Sequence, residues 1–398
     1  SSRFIGDQRW ALFPSFSLGW NIAHEDFFNV DFVESLKLRG SWGQLGNMNT
    51  NSLYPFYSSI PMTMQGGSWL IDGKKPNISA MPSIVSASMT WETVSSWNVG
   101  LDWGLFNNRL TGSFDYFIRK TTDMIGPAPE LPATLGVGVP QINNTDMKSQ
   151  GFEFEIGWRD NIRDFSYGVK FLLSDAKQTI TKYPNEAKSL SMPWYSGKVY
   201  GDIWGYETIG IAKTDAEMND HLSRVDQSQL GSQWGAGDIM YADLDESGDI
   251  TEGSNTVDDP GDKKVIANTT PRFRYGIAAD AAWKGFDLRI FLQGVGKRDY
   301  VPGAGATFFW GATGDSHYSV CFEEHWDFFR PEGDPLGANL NAYYPRPLFN
   351  WDYKNQNLQS RYVQSAAYLR LKNIQLGYTL PKSLITKAGL QSVRFFIS

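Results

Sequence analysis

The sequence predicts an all-β fold, namely an antiparallel transmembrane β-barrel with long extracellular loops. Three observations support this fold class: apolar and polar residues alternate along many segments, short and long connections alternate between these segments, and aromatic residues are abundant. Aromatic residues make up 15% of the 398 residues, yet the mean hydropathy is -0.36. A membrane barrel combines aromatic girdles with a polar lumen and polar loops, so it is aromatic and hydrophilic at once.

The alternation has a period of two residues, which is the period of a β-strand. In residues 152–159, for example, every second residue is apolar and the others are charged or Gly. Strict alternation gives a strand one apolar face and one wet face. The predicted strands are residues 10–20, 36–46, 93–104, 109–121, 150–159, 164–177, 268–283, 286–296, 363–379 and 390–398.

The connections between the predicted strands alternate between short and long without exception. An outer-membrane barrel has this arrangement, with short periplasmic turns and long extracellular loops. Asn107-Asn108 and Lys284-Gly285 are predicted to form tight hairpin turns, because Asn and Gly tolerate the positive φ angles that such turns require. Along residues 368–378 the apolar residues change parity, which predicts a β-bulge near Asn373.

Other architectures also have alternating strands, among them a soluble sandwich and a propeller. Aromatic residues near the strand ends and the rhythm of the connections favour the barrel. The chain begins at Ser1 without an initiator Met and ends at Ser398 inside an alternating stretch. We therefore expect a piece of a longer protein that forms an incomplete arc of a larger barrel, although a closed barrel of about ten strands is arithmetically possible.

The composition argues against several other classes of protein. No apolar run approaches the roughly 18–20 residues of a spanning helix, which excludes an α-helical membrane protein. The net charge of -7 lacks the basic footprint of a nucleic-acid-binding protein. The single Cys321 excludes a disulfide scaffold. The four histidines do not have the spacing of zinc ligands on a helix: His24, His221, His317 and His325.

Catalysis is not expected, because no nucleophile elbow and no phosphate-binding Gly motif is present. The acidic segment around His325 could be read as an acid–base cluster, but we interpret it as an interfacial loop motif. An acidic segment does have the spacing of a calcium-binding loop, with oxygen-bearing side chains at alternate positions around a Gly turn. Its candidate ligands are Asp243, Asp245, Ser247 and Asp249. Ser254 replaces the bidentate Glu of such loops, so the segment predicts either weak Ca²⁺ binding or a metal-free loop tied by backbone hydrogen bonds.

Several separate segments resemble the SusC/RagA-type TonB-dependent transporters of Bacteroidota outer membranes. They are WALFPSFSLGW at residues 10–20, LKLRGSWGQLGN at residues 36–47, the acidic run 243–250 that leads to PRFRYG at residues 271–276, and YLRLKNIQLGY at residues 368–378. The resemblance covers most of the chain in outline, with the long loops unmatched.

The resemblance implies a barrel of about 22 strands, filled by an N-terminal plug. It also implies a SusD-like surface lipoprotein as an outer lid and TonB as the periplasmic energy source. Residues 1–398 would then be the C-terminal part of the barrel, without the plug domain and the final strands. The expected function is active import of an oligosaccharide or a peptide. A passive porin, a siderophore-type receptor and a soluble carbohydrate-binding β-protein remain alternatives.

Large aromatic residues are frequent in the predicted long loops. Flat rings can stack on sugars or anchor a protein lid, but they can also pack one loop against another. The candidates for contact with substrate or lid are Trp194, Tyr195, Trp234, Trp310, Trp326 and Tyr343, among further loop aromatics at Trp204, Tyr206, Tyr344 and Trp351. A second group, of mixed charge, is expected to line the lumen and to form ion pairs with a plug: Lys37, Arg39, Glu153, Glu155, Arg272, Arg274, Arg289, Arg370 and Lys372.

Overall fold

The computed structural model describes residues 3–48, 50, 53–64, 69–79, 81–82, 84–86, 88–128, 140–304, 306–311, 322–348 and 353–398. Its strands are β1 (Ser15–Asn21), β2 (Val33–Asn47), β3 (Met62–Met64), β4 (Asn77–Ser79), β5 (Glu92–Leu105), β6 (Leu110–Pro127), β7 (Gln141–Ile162), β8 (Phe165–Lys182), β9 (Asp202–Tyr206), β10 (Thr208–Ile211), β11 (Ile239–Tyr241), β12 (Lys263–Asn268), β13 (Arg272–Trp283), β14 (Phe286–Lys297), β15 (Asp299–Tyr300), β16 (Gln364–Ser365), β17 (Tyr368–Thr379) and β18 (Arg394–Ile397). The helices are α1 (Asp215–Leu222), α2 (Thr307–Trp310) and α3 (Lys382–Ile385). Among the described residues, every helix is too short or too polar to traverse a bilayer.

The main sheet has 10 strands in the order β1-β2-β5-β6-β7-β8-β13-β14-β17-β18. Every neighbouring pair is antiparallel, and each strand lies beside the strands that precede and follow it in this list. All the predicted strands are therefore present, in the predicted order. This up-and-down arrangement is the topology of an antiparallel barrel wall.

The predicted strand ends are less accurate, most of all for β6 and β7. The structure extends β6 to Pro127 and begins β7 at Gln141, so the connection between them is shorter than expected. The extension of β7 is polar and does not alternate, and side-chain hydrogen bonds hold it in place. Asn143 accepts from the Thr90 N–H at 2.9 Å and donates to the carbonyl oxygens of Thr90 and Asp123. Hydrophobic periodicity does not detect strands that are stabilised in this way.

The connections fall at two ends of the sheet. One end, the short-turn rim, carries residues 22–32, 106–109, 163–164, 284–285 and 380–393. The opposite end, the long-loop rim, carries residues 48–91, 128–140, 183–271 and 298–367. The predicted alternation is confirmed, although connection 128–140 is no longer than connection 380–393. Short turns at one rim and long loops at the other are the pattern of an outer-membrane barrel.

The local backbone features predicted from the sequence are also present. Asn107 and Asn108 have φ angles of 56° and 58°, and Lys284 and Gly285 have 47° and 91°, as tight hairpin turns require. In the pairing of β14 with β17, Phe291 pairs with Asn373, whereas Leu292 pairs with Leu371. Lys372 is therefore the extra residue of a bulge, which accounts for the change of parity.

The two faces of the sheet differ in chemistry. The register places Phe16, Trp42 and Trp97 side by side on one face, and Phe16 and Trp97 are 66% and 60% exposed. The other face carries polar residues, such as Lys37 beside Asp102. A broad, exposed apolar face is expected where lipid covers the wall, and a polar face is expected where the wall lines a lumen.

Residues 183–271 and 298–367 pack together at the long-loop rim, and we call their described part the loop unit. It contains β9–β12, β15, β16, α1 and α2. Its core consists of buried residues from both loops: Tyr206, Ile211, Ile239, Tyr241, Ile250, Trp310, Phe329, Ala342, Tyr344 and Tyr362. Because the apolar core of the described chain lies mainly here, the loop unit is an ordered body on top of the wall.

Candidate functional site

The polar face of the sheet contains ion pairs that join neighbouring strands. Arg39 on β2 donates to Asp102 on β5 at 2.7 Å and to Asp115 on β6 at 2.9 Å. Lys170 on β8 pairs with Glu155 on β7 at 2.5 Å. These pairs are partly exposed, and exposed pairs of this kind contribute little to stability. Their effect is to keep the face hydrated and balanced in charge.

Other predicted lumen charges lack such partners. In the part of the chain that the structure describes, Lys37, Glu153, Arg274 and Arg289 form no ion pair. Arg272 departs from the others, because it makes a two-fold contact with the nearly buried Asp175 beside the exposed Phe273, which has a positive φ of 51°. The unpaired groups are the ones available to a further chain segment or a solute, so the expected ion pairs with a plug stay a prediction.

A buried polar network joins the two halves of the loop unit. Asp238, fully buried at the start of β11, accepts two hydrogen bonds from Arg346, at 2.8 and 2.6 Å. It also accepts from Lys354 at 3.0 Å and from the Asn355 side chain at 2.9 Å. Lys354 lies 4.8 Å from the centre of the Trp234 ring. A buried charge is tolerated only when paired and hydrogen-bonded, and here both conditions are met by residues from the other loop.

The structure places the predicted loop aromatics in different environments. Trp310 is 1% exposed and donates its indole N–H to the Gly303 carbonyl oxygen at 2.8 Å. Tyr195 is 6% exposed, and its hydroxyl accepts the indole N–H of Trp204 at 3.0 Å. Trp326, by contrast, is 51% exposed and stacks on Phe328.

Three more of these aromatics are partly buried. Trp194 packs edge-on against Tyr183 and Tyr200. Trp234 packs against Tyr241, and Tyr343 packs against Tyr362. Each of these contacts joins residues of the same loop, so packing within the loop unit accounts for the position of these rings. Contact of any of the six with substrate or lid stays a prediction. Trp351, which belonged to the wider set, lies outside the described residues, as do His317 and Cys321.

His325 has a structural environment. It is 2% exposed, its Nδ1 atom accepts the Phe322 N–H at 3.0 Å, and its Nε2 atom lies 3.2 Å from the Phe308 carbonyl oxygen. Both ring nitrogens are thus engaged with the backbone, which leaves neither for acid–base chemistry.

The acidic segment is tied by backbone hydrogen bonds, and it brings together a set of carboxylates that differs from the predicted one. Oxygens of Asp243, Asp245 and Asp262 lie within 4.8 Å of one another. Asp243 accepts the N–H groups of Ser247 and Gly248, and Asp262 accepts those of Leu244 and Thr251. Burial raises the pKa of Asp262, and the charges of Asp243 and Asp245 add to this shift. Asp262 lies beyond the loop pattern in sequence, so the pattern did not single it out.

The comparisons with known proteins agree with this geometry. The family model described as "TonB dependent receptor-like, beta-barrel" matches residues 1–397. TonB-dependent receptor P3 of Formosa agariphila is 28% identical over 412 aligned residues, which cover 100% of this chain and 38% of the relative. TonB-dependent receptor SusC of Bacteroides thetaiotaomicron is 24% identical over 393 residues, which cover 95% of this chain and 35% of SusC.

The same fold is found in a solved structure of the RagAB peptide transporter, with a TM-score of 0.73 and 20% identity; the match covers 99% of this chain and 40% of that chain. The fold and its two faces define the protein as an outer-membrane β-barrel. The chain belongs to the TonB-dependent receptor β-barrel family. It spans less than half the length of these relatives. Membership of a receptor family agrees with the expectation that the chain is not an enzyme.

Proposed function

We propose that this protein takes part in TonB-driven import of an oligosaccharide or a peptide across the bacterial outer membrane. The observation that carries the proposal is the main sheet, which has an apolar, exposed face and a charged face and bears an ordered loop unit at the long-loop rim. Such a wall separates lipid from a wet passage. Family membership supports dependence on TonB.

The remaining parts of the assembly follow from the family resemblance and from the length of the relatives. The chain covers 38% of receptor P3, which leaves room for a plug domain and further strands in a protein of that size. The long-loop rim would face the outside and carry a SusD-like surface lipoprotein, and the short-turn rim would face the periplasm and TonB. The unpaired charges Glu153, Arg274 and Arg289 would then face the plug.

The test is an uptake assay in the native bacterium. A deletion strain, complemented with the whole gene, is supplied with fluorescently labelled neutral oligosaccharides and, separately, with a labelled peptide mixture. We expect the deletion to abolish uptake of one of the two classes and complementation to restore it. Uptake should also stop when TonB is deleted or the proton gradient is collapsed.

The alternatives give different results in the same assay. Uptake that persists without TonB would indicate a passive porin, and loss of ferric-chelate uptake alone would indicate a siderophore receptor. Recovery of the protein without detergent in the soluble fraction would indicate a soluble β-protein. The partner is tested by purifying the affinity-tagged transporter and identifying any co-purifying lipoprotein, since the proposal requires one.

A further inference from the structure

A cavity of about 530 Å³ lies inside the loop unit, at the junction of its two loops. Its lining includes Trp204 and Tyr206 on β9 and Lys263 on β12 from the first loop, and Asn357 and Leu358 from the second. Its volume lies in the range of roughly 300–1,000 Å³ that is usual for pockets for small ligands. Since residues from both loops line it, the cavity exists only when the loop unit is assembled.

Trp204 is the tryptophan among the residues that line this cavity. The one polar atom of its side chain, the indole nitrogen, donates to the Tyr195 hydroxyl at 3.0 Å. Tyr195 is itself 6% exposed, so its position is set by the surrounding core. The ring of Trp204 is therefore held by its polar edge, and what it offers to a ligand is a flat apolar surface of the kind on which sugar rings stack.

The charged groups of the cavity cancel each other. Glu252 and Lys263 are the charged residues of the lining, and they form an ion pair at 2.5 Å. Lys263 also donates to the Asn255 side chain at 3.3 Å. Burial, together with the neighbouring Glu252, raises the pKa of Tyr206 to about 12, so its phenol is neutral at physiological pH. The lining thus has no net charge with which to select an ionic ligand.

Hydrogen-bonding capacity in the cavity comes mainly from side-chain amides. Gln229 is exposed at the cavity, and Asn255 and Asn357 are partly buried. The Asn357 amide nitrogen donates to the Lys354 carbonyl oxygen at 3.0 Å, which leaves its amide oxygen as an acceptor. Amides that combine donors and acceptors suit hydroxyl groups, which are themselves both donors and acceptors.

A peptide fits these features less well than a sugar. Peptides commonly bind by adding a strand to an open sheet edge. At Tyr206 both edges of β9 are already occupied, because β9 pairs with β12 and the Tyr206 N–H donates to the Leu358 carbonyl oxygen at 2.8 Å. The charged ends of a short peptide would also find no unpaired counter-charge among Glu252 and Lys263.

We propose that this cavity is a subsite for an uncharged saccharide, in which a sugar ring stacks on Trp204 and its hydroxyl groups bond to Gln229 and Asn357. The proposal rests on the proposed import function and narrows its substrate class to neutral oligosaccharides. Glu252 and Lys263 act as a neutral pair that adds hydrogen bonds without selecting a charged sugar.

The test measures binding to the purified whole transporter in detergent, by titration calorimetry with neutral hexasaccharides of glucose, xylose and mannose. A galacturonate hexasaccharide and a pool of hexapeptides serve as contrasting ligands. We expect one neutral oligosaccharide to bind, and Trp204→Ala to weaken it by roughly 10- to 100-fold, as for the loss of a central aromatic contact. Gln229→Ala, at an exposed position that is not needed for folding, should weaken binding by roughly 3- to 10-fold. Trp69→Ala is the matched control, since Trp69 is exposed at the same rim outside the cavity.

The outcomes separate this proposal from the import function. If a neutral oligosaccharide is imported but both Trp204→Ala and Gln229→Ala bind it with unchanged affinity, the cavity proposal is overturned and the import function stands. Binding of the peptide pool or of galacturonate that depends on Trp204 would also overturn it. Import that persists without TonB would count against the proposed function and not against the cavity, because binding in detergent does not involve TonB.

Discussion

The carboxylate of Asp238 and the guanidinium of Arg346, 108 residues apart in sequence, form a two-fold hydrogen-bonded pair at 2.8 and 2.6 Å. Asp238 belongs to the first loop of the loop unit and Arg346 to the second. Lys354 completes the contact from the second loop at 3.0 Å, and both Asp238 and Lys354 are buried. The two loops therefore share one electrostatic centre, and neither can move away without leaving a charge buried and unpaired.

Removal of this centre should loosen the loop unit. We expect Asp238→Ala to destabilise it by about 3–5 kcal/mol, because Lys354 would stay buried without its partner. The measurement is hydrogen–deuterium exchange of the whole transporter, in which β11 and the residues around Lys354 should lose protection together. Glu332→Ala is the control, since Glu332 lies in the same loop as Arg346 at an exposed site. Unchanged protection in Asp238→Ala would show that the apolar core alone holds the loops.

The two faces of β5 should respond oppositely to the same substitution. Val99 is 56% exposed on the apolar face, whereas Asn98, its neighbour, points to the polar face. We expect Val99→Arg to destabilise the folded barrel by about 2–4 kcal/mol, as for a cation placed in lipid, and Asn98→Arg to have little effect. The readout is the fraction of protein that reaches the outer membrane in a folded, protease-resistant form. Equal effects of the two substitutions would contradict the assignment of the faces.

The wall of the barrel is predictable from the sequence because its signals are local. Alternation along 152–159, the positive φ of Asn108 and the bulge at Lys372 each depend on a few consecutive residues. The extension of β7 is different, because Asn143 exchanges hydrogen bonds with Thr90 and donates to the carbonyl oxygen of Asp123, and both partners are far away in sequence. A periodic pattern carries no information on such partners.

The loop unit is predictable only in part, for the same physical reason. Its aromatic residues are evident in the sequence, but which rings are buried depends on contacts between two separate loops, as where the Tyr241 hydroxyl donates to the Lys354 carbonyl oxygen. The cavity beside Trp204 is formed by Lys263 and Asn357 from different loops. In the sequence, only the frequent Trp, Asn and Gln residues of the loops point to such a cavity. The same residues are equally compatible with ordinary packing between loops.

Binding of Ca²⁺ to the acidic segment can be tested directly. We expect Asp243, Asp245 and Asp262 to bind Ca²⁺ weakly, with a Kd of about 0.1–1 mM, because a cation relieves their mutual repulsion but the bidentate Glu is absent. Terbium added to the whole transporter should give sensitised emission that Ca²⁺ displaces. Asp245→Asn should reduce this emission, whereas Glu332→Gln, at an exposed site in the second loop of the loop unit, should not. Absence of emission from the unmodified protein would establish that backbone hydrogen bonds alone order the loop.

The last prediction concerns pH and rests on His221 in α1. The side chain is 5% exposed, and its Nε2 atom lies 3.2 Å from Oε1 of the buried Gln227. Burial lowers the pKa of His221 below its ordinary value near 6.5, and Arg224 adds to the shift, while Gln227 and Asp220 oppose it. Between the lowered pKa and 6.5, the unfolded chain holds more protons than the folded one, so the free energy of unfolding rises with pH in this window. The contribution of the neutral His221 side chain to the stability of α1 is therefore fully present above pH 6.5. It is lost as the pH falls through the lowered pKa.

Hydrogen exchange of α1 and β11 in the whole transporter, measured at pH 7.5 and pH 5 and corrected for intrinsic exchange rates, should show this loss of protection. His221→Gln removes the titrating group and should flatten the pH dependence. His24→Gln, in the connection between β1 and β2, should leave it unchanged. Greater protection at pH 5 than at pH 7.5 would mean that the imidazolium is stabilised in the fold. In that case the influence of Asp220 outweighs burial at this site, and α1 would be strengthened rather than weakened by acid.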